Sequence, residues 1–453
     1  MTHLKFLLAF FIFITGIQKI QACPGTPGSV EKIVCLADSL KSTLTSSQIS
    51  TLQLVYSYAN SQSWSNLPTT FQARIGLKIG TLNASQLAIA KLLIKEVTES
   101  GIANEGYDEV SQLLLADAYL SANGGGADYG GGLYYLCFNG TPSLTGTFSI
   151  KFGGHHLQVE NTYNKGVMVG ATPHFEAVEP LTFTTNGTTY SPITQEKNAL
   201  AAMFAALGTT ELASAKLSTT FTDVLMGAKN GGTAKDWIFP ATKLGLKVST
   251  LTATQKQLVL DAIKTYVMDI DKAHADKIMT QYTTELNETY IAYSGTSALN
   301  TKNDYVRIDG PGVWIEFTVQ GGIIMSGVHY HSIWRDHIRD YGGAGSTSGI
   351  KTTEIGTIVT AIDDKKAELI KNVITYPNPA SENATVQFSL NTEADIRINI
   401  YDLKGRLVLK SDRGKLSAGT NSVLIHLGDL PSGIYNCIIE AGAGRYISRV
   451  IKE

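Results

Sequence analysis

Two kinds of hydrophobic pattern divide the chain. From Tyr376 to Glu453, apolar and polar positions alternate in short runs: Thr385–Leu390, Ile396–Tyr401, Arg406–Lys410, Ser422–Leu427, Ile434–Glu440 and Tyr446–Ile451. Period-two alternation broken at this spacing by turn residues predicts an antiparallel, Ig-like sandwich over 376–453. Upstream, helical and strand periods succeed one another. Asn83 with Gln86, and Thr252 with Gln255, have the spacing of a capping box, and an apolar helical stripe follows each. The stripes are Leu87, Ala90, Leu93 and Ile94 in one case, and Leu258, Val259, Ala262 and Val267 in the other. Thr45 to Gln48 signals an earlier helix in the same way.

These two helix starts belong to a longer repeat. Gly76-Leu-Lys-Ile-Gly-Thr-Leu-Asn-Ala-Ser-Gln86 returns as Gly245-Leu-Lys-Val-Ser-Thr-Leu-Thr-Ala-Thr-Gln255. Trp64 and Pro68 precede the first copy, and Trp237 and Pro240 the second. Tyr135–Thr141 echoes Tyr290–Thr296. A strand over Phe148–Thr162 with a turn at Asn164–Gly166 echoes one over Tyr305–Thr318 with a turn at Gln320–Gly322. In this alignment Glu160 stands opposite Glu316, and His174 beside His329 and His331. The pattern predicts an α+β fold for residues 23–365. Two helix-plus-antiparallel-sheet units, about 45–175 and 235–340, would be related by a pseudo-twofold axis. Residues 366–375 read as a linker.

At the front, Lys5, an apolar run from Phe6 to Ile14 and the small Ala22 have the layout of a secretory signal over 1–22. The run is too short for a membrane anchor, so no transmembrane segment is expected in the mature protein. Cys23 after Ala22 raises lipidation, which Gln21 fits poorly. In an exported chain Cys23 and Cys35 could close a short loop, whereas Cys137 and Cys437 read as isolated buried thiols. No thiolate spacing for structural zinc occurs.

Composition narrows the function. Charged residues are only 17% of the chain and the net charge is −2, which leaves no basic field for nucleic acid. The glycines at 124–126 and 130–132 match no dinucleotide or phosphate-loop motif, so no nucleotide cofactor is expected, and the segment reads as a flexible or tightly turning loop. Neither a GxSxG elbow nor an HExxH helix is present.

The histidines carry the candidate chemistry. His329-Tyr-His331 reads as a strand, on which residues two apart share a face and both imidazoles converge. The adjacent His155 and His156 read as opposite-facing on a strand, so that only one joins a given site. A third nitrogen from His155, His156 or His174 would complete a site suited to zinc or copper. Glu316 is a candidate ligand or general base. Arg335 is a candidate for stabilising an anion, and Asp336 stands beside it, either as its plain ion pair or as part of the catalytic set. His274, near Asp271, reads as a solvated helix face.

Two resemblances add to this reading. Tyr376-Pro-Asn-Pro, Ile400-Tyr-Asp-Leu-Lys-Gly-Arg406 and Leu430-Pro-Ser-Gly-Ile-Tyr435 resemble the C-terminal sorting domain of type IX secretion in Bacteroidetes-type bacteria. That resemblance implies engagement of the secretion machinery through 376–453, and release outside the cell or attachment at its surface. Gly154-His-His-Leu157, Thr172-Pro-His-Phe175, Tyr305–Pro311 with Ile315-Glu316, and His329–Asp336 ending in Asp340-Tyr-Gly342 resemble an uncharacterised family of secreted bacterial proteins, which brings no activity with it. The expected function is a metal-dependent enzyme, hydrolytic in the first instance, acting on an extracellular substrate of unknown identity. A non-catalytic surface protein that binds a ligand through Tyr-rich faces is the alternative, and copper-dependent oxidation a third class.

Overall fold

The computed structural model describes residues 23–99, 101–228, 238–346, 349–357, 370–402, 406–441 and 444–453. The signal segment 1–22, Trp237 and the charged stretch 363–366 lie outside the described residues. The chain forms two compact units, divided between Thr357 and Ile358.

The first unit is built on one sheet. Its first half supplies β1 (Gln53–Leu54), β2 (Leu77–Lys78), β3 (Tyr135–Asn139), β4 (Thr147–Gly154), β5 (Leu157–Asn164), β6 (Val167–Gly170) and β7 (His174–Val178). A separate hairpin, β8 (Phe183–Thr185) and β9 (Thr188–Tyr190), follows. The second half supplies β10 (Leu246–Lys247), β11 (Tyr290–Ser294), β12 (Tyr305–Asp309), β13 (Val313–Gly321) and β14 (Val328–Asp336). The strand order is β1-β3-β4-β5-β7-β14-β13-β12-β11-β10, with β2 on β3 and β6 on β5. Pairing of β7 with β14 thus joins the strands of the two expected units into a single 12-stranded sheet.

The two halves present the same series of elements. Gly76 and Gly245 both take φ +102°, each leading through a two-residue strand and a 3-10 turn into a helix. These helices, α4 (Ala84–Thr98) and α8 (Ala253–Val267), each begin with the expected capping box, at Asn83–Gln86 and Thr252–Gln255. They bury Ala90, Leu93 and Ile94, and Val259, Ala262 and Val267, respectively. Lys151 pairs with Glu160 across β4 and β5, as Arg307 pairs with Glu316 across β12 and β13. A shift of 156 in residue number relates these pairs, and it also carries Glu176 onto Ser332, its direct partner in the β7–β14 pair. A twofold axis through that central pair would produce this register.

The remaining helices are α1 (Val30–Lys41), α2 (Ser46–Leu52), α3 (Tyr58–Ser61), α5 (Tyr107–Leu120), α6 (Thr194–Ala205), α7 (Thr209–Ala215) and α9 (Lys272–Glu285). On β7, His174, Glu176 and Val178 point to one side and Phe175 and Ala177 to the other. Val178 belongs to the main core with the helices, and Phe175 and Ala177 to a smaller cluster with Trp64, Val224, Ile333 and Tyr341. One face of the sheet is therefore covered by helices, and the other, at its centre, by loops.

Two expected strands are in fact hairpins. Phe148–Thr162 is broken at His155-His156, the two-residue turn between β4 and β5, and Tyr305–Thr318 is broken at Gly310–Gly312. Glycines before the first break, Gly153 and Gly154, and within the second, Gly310 and Gly312, tip the balance against a continuous strand. His274 is buried, bonded to Asp271 Oδ2 at 2.6 Å and 3.3 Å from Glu354 Oε1, rather than solvated. Cys23 and Cys35 form a disulfide, and Cys137 is buried on β3.

The second unit is a sandwich of β15 (Ile370–Tyr376), β16 (Asn383–Leu390), β17 (Ala394–Tyr401), β18 (Leu407–Leu416), β19 (Gly419–His426), β20 (Gly433–Ala441) and β21 (Gly444–Lys452). Its sheets run β15-β16-β19 and β18-β17-β20-β21, around Val386, Phe388, Ile396, Ile398, Ile400 and the buried Cys437. β15 occupies residues 370–375, which the sequence assigns to a linker. The β-branched Val373, Ile374 and Thr375 favour the strand. No helix of the described residues is long and apolar enough to cross a membrane.

Candidate functional site

The loop-covered face of the central sheet holds a cleft of about 490 Å³, lined by His155, His156, His329 and His331. The hairpin β4–β5 places the first two. Gly154 lets the Tyr134 ring pack against the turn, where a Cβ would stand 2.9 Å from that ring. His156 then adopts φ +61°, a left-handed conformation in which histidine is enriched among non-glycine residues. Its backbone is held on both sides: its N–H donates to Asn66 O at 3.2 Å, and its carbonyl accepts from Ala177 N at 2.9 Å. The turn presents both imidazoles to the cleft, stacked with ring centroids 3.6 Å apart. The strand alternation expected for this pair does not operate at a turn.

β14 places the other two. His329 and His331 share a face, and their Nε2 atoms lie 3.2 Å apart. The potential ligand atoms of His156, His329 and His331 all lie within 4.8 Å of one another. Two nitrogens bound to one tetrahedral zinc at 2.0–2.1 Å would be separated by about 3.3 Å, so the spacing of the β14 pair fits a shared ion. Burial and the neighbouring imidazoles hold His156 well below the usual histidine range, and burial followed by His331 pushes His329 down to about 3. Both rings are therefore neutral at neutral pH, the form that ligates metal.

Carboxylates orient the flanking rings. His331 Nδ1 lies 3.0 Å from Asp223 Oδ1, and Gln320 Nε2 lies 2.8 Å from the same nitrogen. An ionised carboxylate only accepts, so Asp223 favours the tautomer with its proton on Nδ1 and the lone pair on Nε2. His155 Nδ1 lies 2.6 Å from Asp117 Oδ1, and Asp117 Oδ2 accepts from Gly130 N at 2.7 Å. The glycine-rich segment thus turns tightly, fixing His155 through Asp117 and setting Tyr129 edge-on to that ring at 4.8 Å. On the opposite lip, Glu179 Oε1 accepts from the successive backbone N–H groups of Ile323, Ile324 and Met325 at 2.7–2.8 Å, shaping the β13–β14 loop. Phe71 and Ile323 stand exposed at the rim.

The other candidate residues lie outside this cleft. His174 shares β7 with Ala177, which packs on the loop-covered face, but points to the helical face, its Nε2 3.0 Å from Glu176 Oε1. Glu316 is fully buried and accepts four hydrogen bonds, from Leu225 N at 2.7 Å, Met226 N at 2.8 Å, Tyr305 Oη at 2.7 Å and Trp314 Nε1 at 2.8 Å. These bonds pin the segment that carries Asp223. Arg335 is bonded to both carboxylate oxygens of Asp340 and donates to Met226 O at 2.6 Å. Asp336 accepts from Tyr282 Oη at 2.7 Å and from Ile338 N and Arg339 N at 2.8 Å. The sequence reading placed the last three at the chemistry, but the structure occupies them in holding loops. It omitted Asp117, Asp223, Tyr129 and Glu179, of which only Asp117, an acid inside the apolar run Leu113–Ala118, carries a local signal.

Comparison with curated proteins finds no match. Among solved structures, the chain is similar to the crystal structure of dimeric latent PorU from Porphyromonas gingivalis at 15% identity and a TM-score of 0.16. That likeness covers 32% of this chain and 13% of the other, so the chain spans a small part of its length. A model described as Secretion system C-terminal sorting domain matches residues 374–453, which marks the chain for type IX export to the cell surface or beyond. The model described as Protein of unknown function (DUF3500) matches residues 26–343, and the chain belongs to that family.

Proposed function

We propose that the central unit is an exported metal-dependent hydrolase whose ion is held by His156, His329 and His331. The observation that carries the reading is the convergence of three buried imidazoles, two of them neutral by their surroundings, within 4.8 Å at the floor of an open cleft. Three protein ligands facing a cleft is the ligand count of catalytic zinc, which would supply a bound water with a pKa of about 7. Asp223 orients His331, and the stacked His155, itself held by Asp117, stands where it can take or give a proton. We also read the matched halves of the sheet as an internal duplication in which the cleft histidines come from the β4–β5 turn of one half and β14 of the other.

Elemental analysis of the exported chain, purified without chelator, tests the metal. About one equivalent of zinc or copper is expected, lost in H156A/H329A/H331A. Hydrolysis of a panel of ester, phosphoester and peptide substrates then tests the reaction, with the loss of activity tracking the loss of metal. A metal-free protein that cannot be reconstituted would sink this reading. The exposed Phe71 and Ile323 at the rim favour a second reading, a binding cleft without turnover. Under that reading a ligand is retained by the histidine variants and lost on F71A.

A further inference from the structure

The helical face of the sheet carries a second cluster that the histidine cleft does not use. Glu105 precedes α5, Glu109 lies on it, Glu196 lies on α6, Asp269 follows α8, and His174 and Glu176 come from β7. None of the six is more than 9% exposed. Among the described residues no lysine or arginine forms an ion pair with any of the five carboxylates. Burying several like charges without counter-charge is prohibitive, so protons or a cation must neutralise them.

The hydrogen bonding shows which oxygens are left for a cation. Asp269 Oδ1 accepts from Gly106 N at 2.7 Å, and its side chain meets that of Glu105. Glu109 Oε1 accepts from Ile193 N at 2.5 Å, while its Oε2 has none. Glu105 Oε2 and both carboxylate oxygens of Glu196 are likewise buried without a partner. Of the anchoring N–H groups, that of the β-branched Ile193 comes from a rare backbone conformation, φ +63°. One oxygen fixed and the other left bare is the arrangement of a prepared ligand set.

We propose that Glu105, Glu109, Glu176, Glu196, Asp269 and His174 form a second, buried site for a hard divalent cation. The ligand atoms fall into two groups, Glu105 with Glu109 and Glu196, and His174 with Glu176 and Asp269, each within 4.8 Å. Oxygens on opposite sides of a calcium ion at 2.3–2.6 Å lie up to about 5 Å apart, so the first group has room for an ion of that kind. The imidazole in the second group favours manganese, which accepts both donor types. Because the cluster joins α5, α6 and the end of α8 to the central strand β7, its ion would tie the helical layers of both halves to the sheet.

The test uses the full chain with the first site removed, H156A/H329A/H331A, purified without chelator. Elemental analysis should find at least about one equivalent of manganese or calcium, and adding either ion to chelator-treated protein should raise its melting temperature. E109Q/E196Q should lose that metal and that response while keeping the ion of the histidine cleft. Absence of both metals from the triple variant, with no thermal response to either, overturns the proposal. So does an E109Q/E196Q chain that keeps the same metal content. If E109Q/E196Q does not fold, the triple-histidine protein alone decides.

Discussion

The Nε2 atoms of His329 and His331 lie 3.2 Å apart on one face of β14, with Asp223 on the far nitrogen of His331. Two ring nitrogens at that distance need a proton or an ion between them, since two lone pairs repel. Removal of either ring by H329A or H331A should therefore weaken zinc or copper binding by more than the 10–100-fold typical of losing an outer partner. Metal content after exhaustive dialysis checks this, with circular dichroism to show that the sheet is intact. Unchanged metal content in both variants would relocate the ion.

Asp223 belongs to that outer layer. D223N keeps the shape of the side chain and an oxygen to accept from Val224 N, so it should cost little stability. It removes the charge that holds the proton on Nδ1 of His331. The expected outcome is a 10–100-fold weaker metal affinity, read by competition with a chelator, at a nearly unchanged melting temperature. An unaltered affinity would assign the orientation of His331 to Gln320 instead.

Much of this architecture was written in local patterns. Both capping boxes, the strand series of the second unit and the same-face placement of His329 and His331 depend on neighbours in sequence, so spacing alone predicts them. The β7–β14 pairing depends on a contact across more than 150 residues, which no local period encodes. The same blindness misassigned His174, because alternation on β7 places it two residues from Glu176, on the helical face, while register with β14 had to be known to see which face that was. Turn conformation decided His155 and His156. Asp117 and Asp223 meet their histidines only after the chain has folded, from 38 and 108 residues away.

Glu316 and Arg335 should report on stability rather than on metal. A glutamine at position 316 has one accepting oxygen where the carboxylate has two, so E316Q turns an amide N–H₂ toward two of the four donors. The expected loss is about 3 kcal/mol in urea denaturation. R335A leaves Asp340 unpaired and the Met226 carbonyl without its donor, with a loss of about 3–5 kcal/mol. Both variants should bind metal once folded at low temperature. A variant of normal stability that had lost activity would instead return that residue to the chemistry.

Glu160, the counterpart of Glu316 in the first half, supplies a pH signature. Burial lifts its carboxyl to about 7, against the pull of Lys151 at 3.9 Å and the hydrogen bond from Ser149 at 2.8 Å. Below about pH 4.5 the group is protonated in the folded and unfolded chain alike, and its contribution to stability is fully present. Between 4.5 and 7 the unfolded chain gives up its proton first, so stability falls as pH rises, by on the order of 3 kcal/mol in all. E160Q removes this slope while keeping an acceptor for Ser149, and Lys151 retains the carbonyls of Ser61 and Ser63 at 3.0 and 3.2 Å. Urea midpoints at pH 5 and pH 8 should therefore differ less for E160Q than for the parent chain, with the variant relatively more stable at pH 8. Equal pH dependence in the two proteins would show that Glu160 does not set the slope.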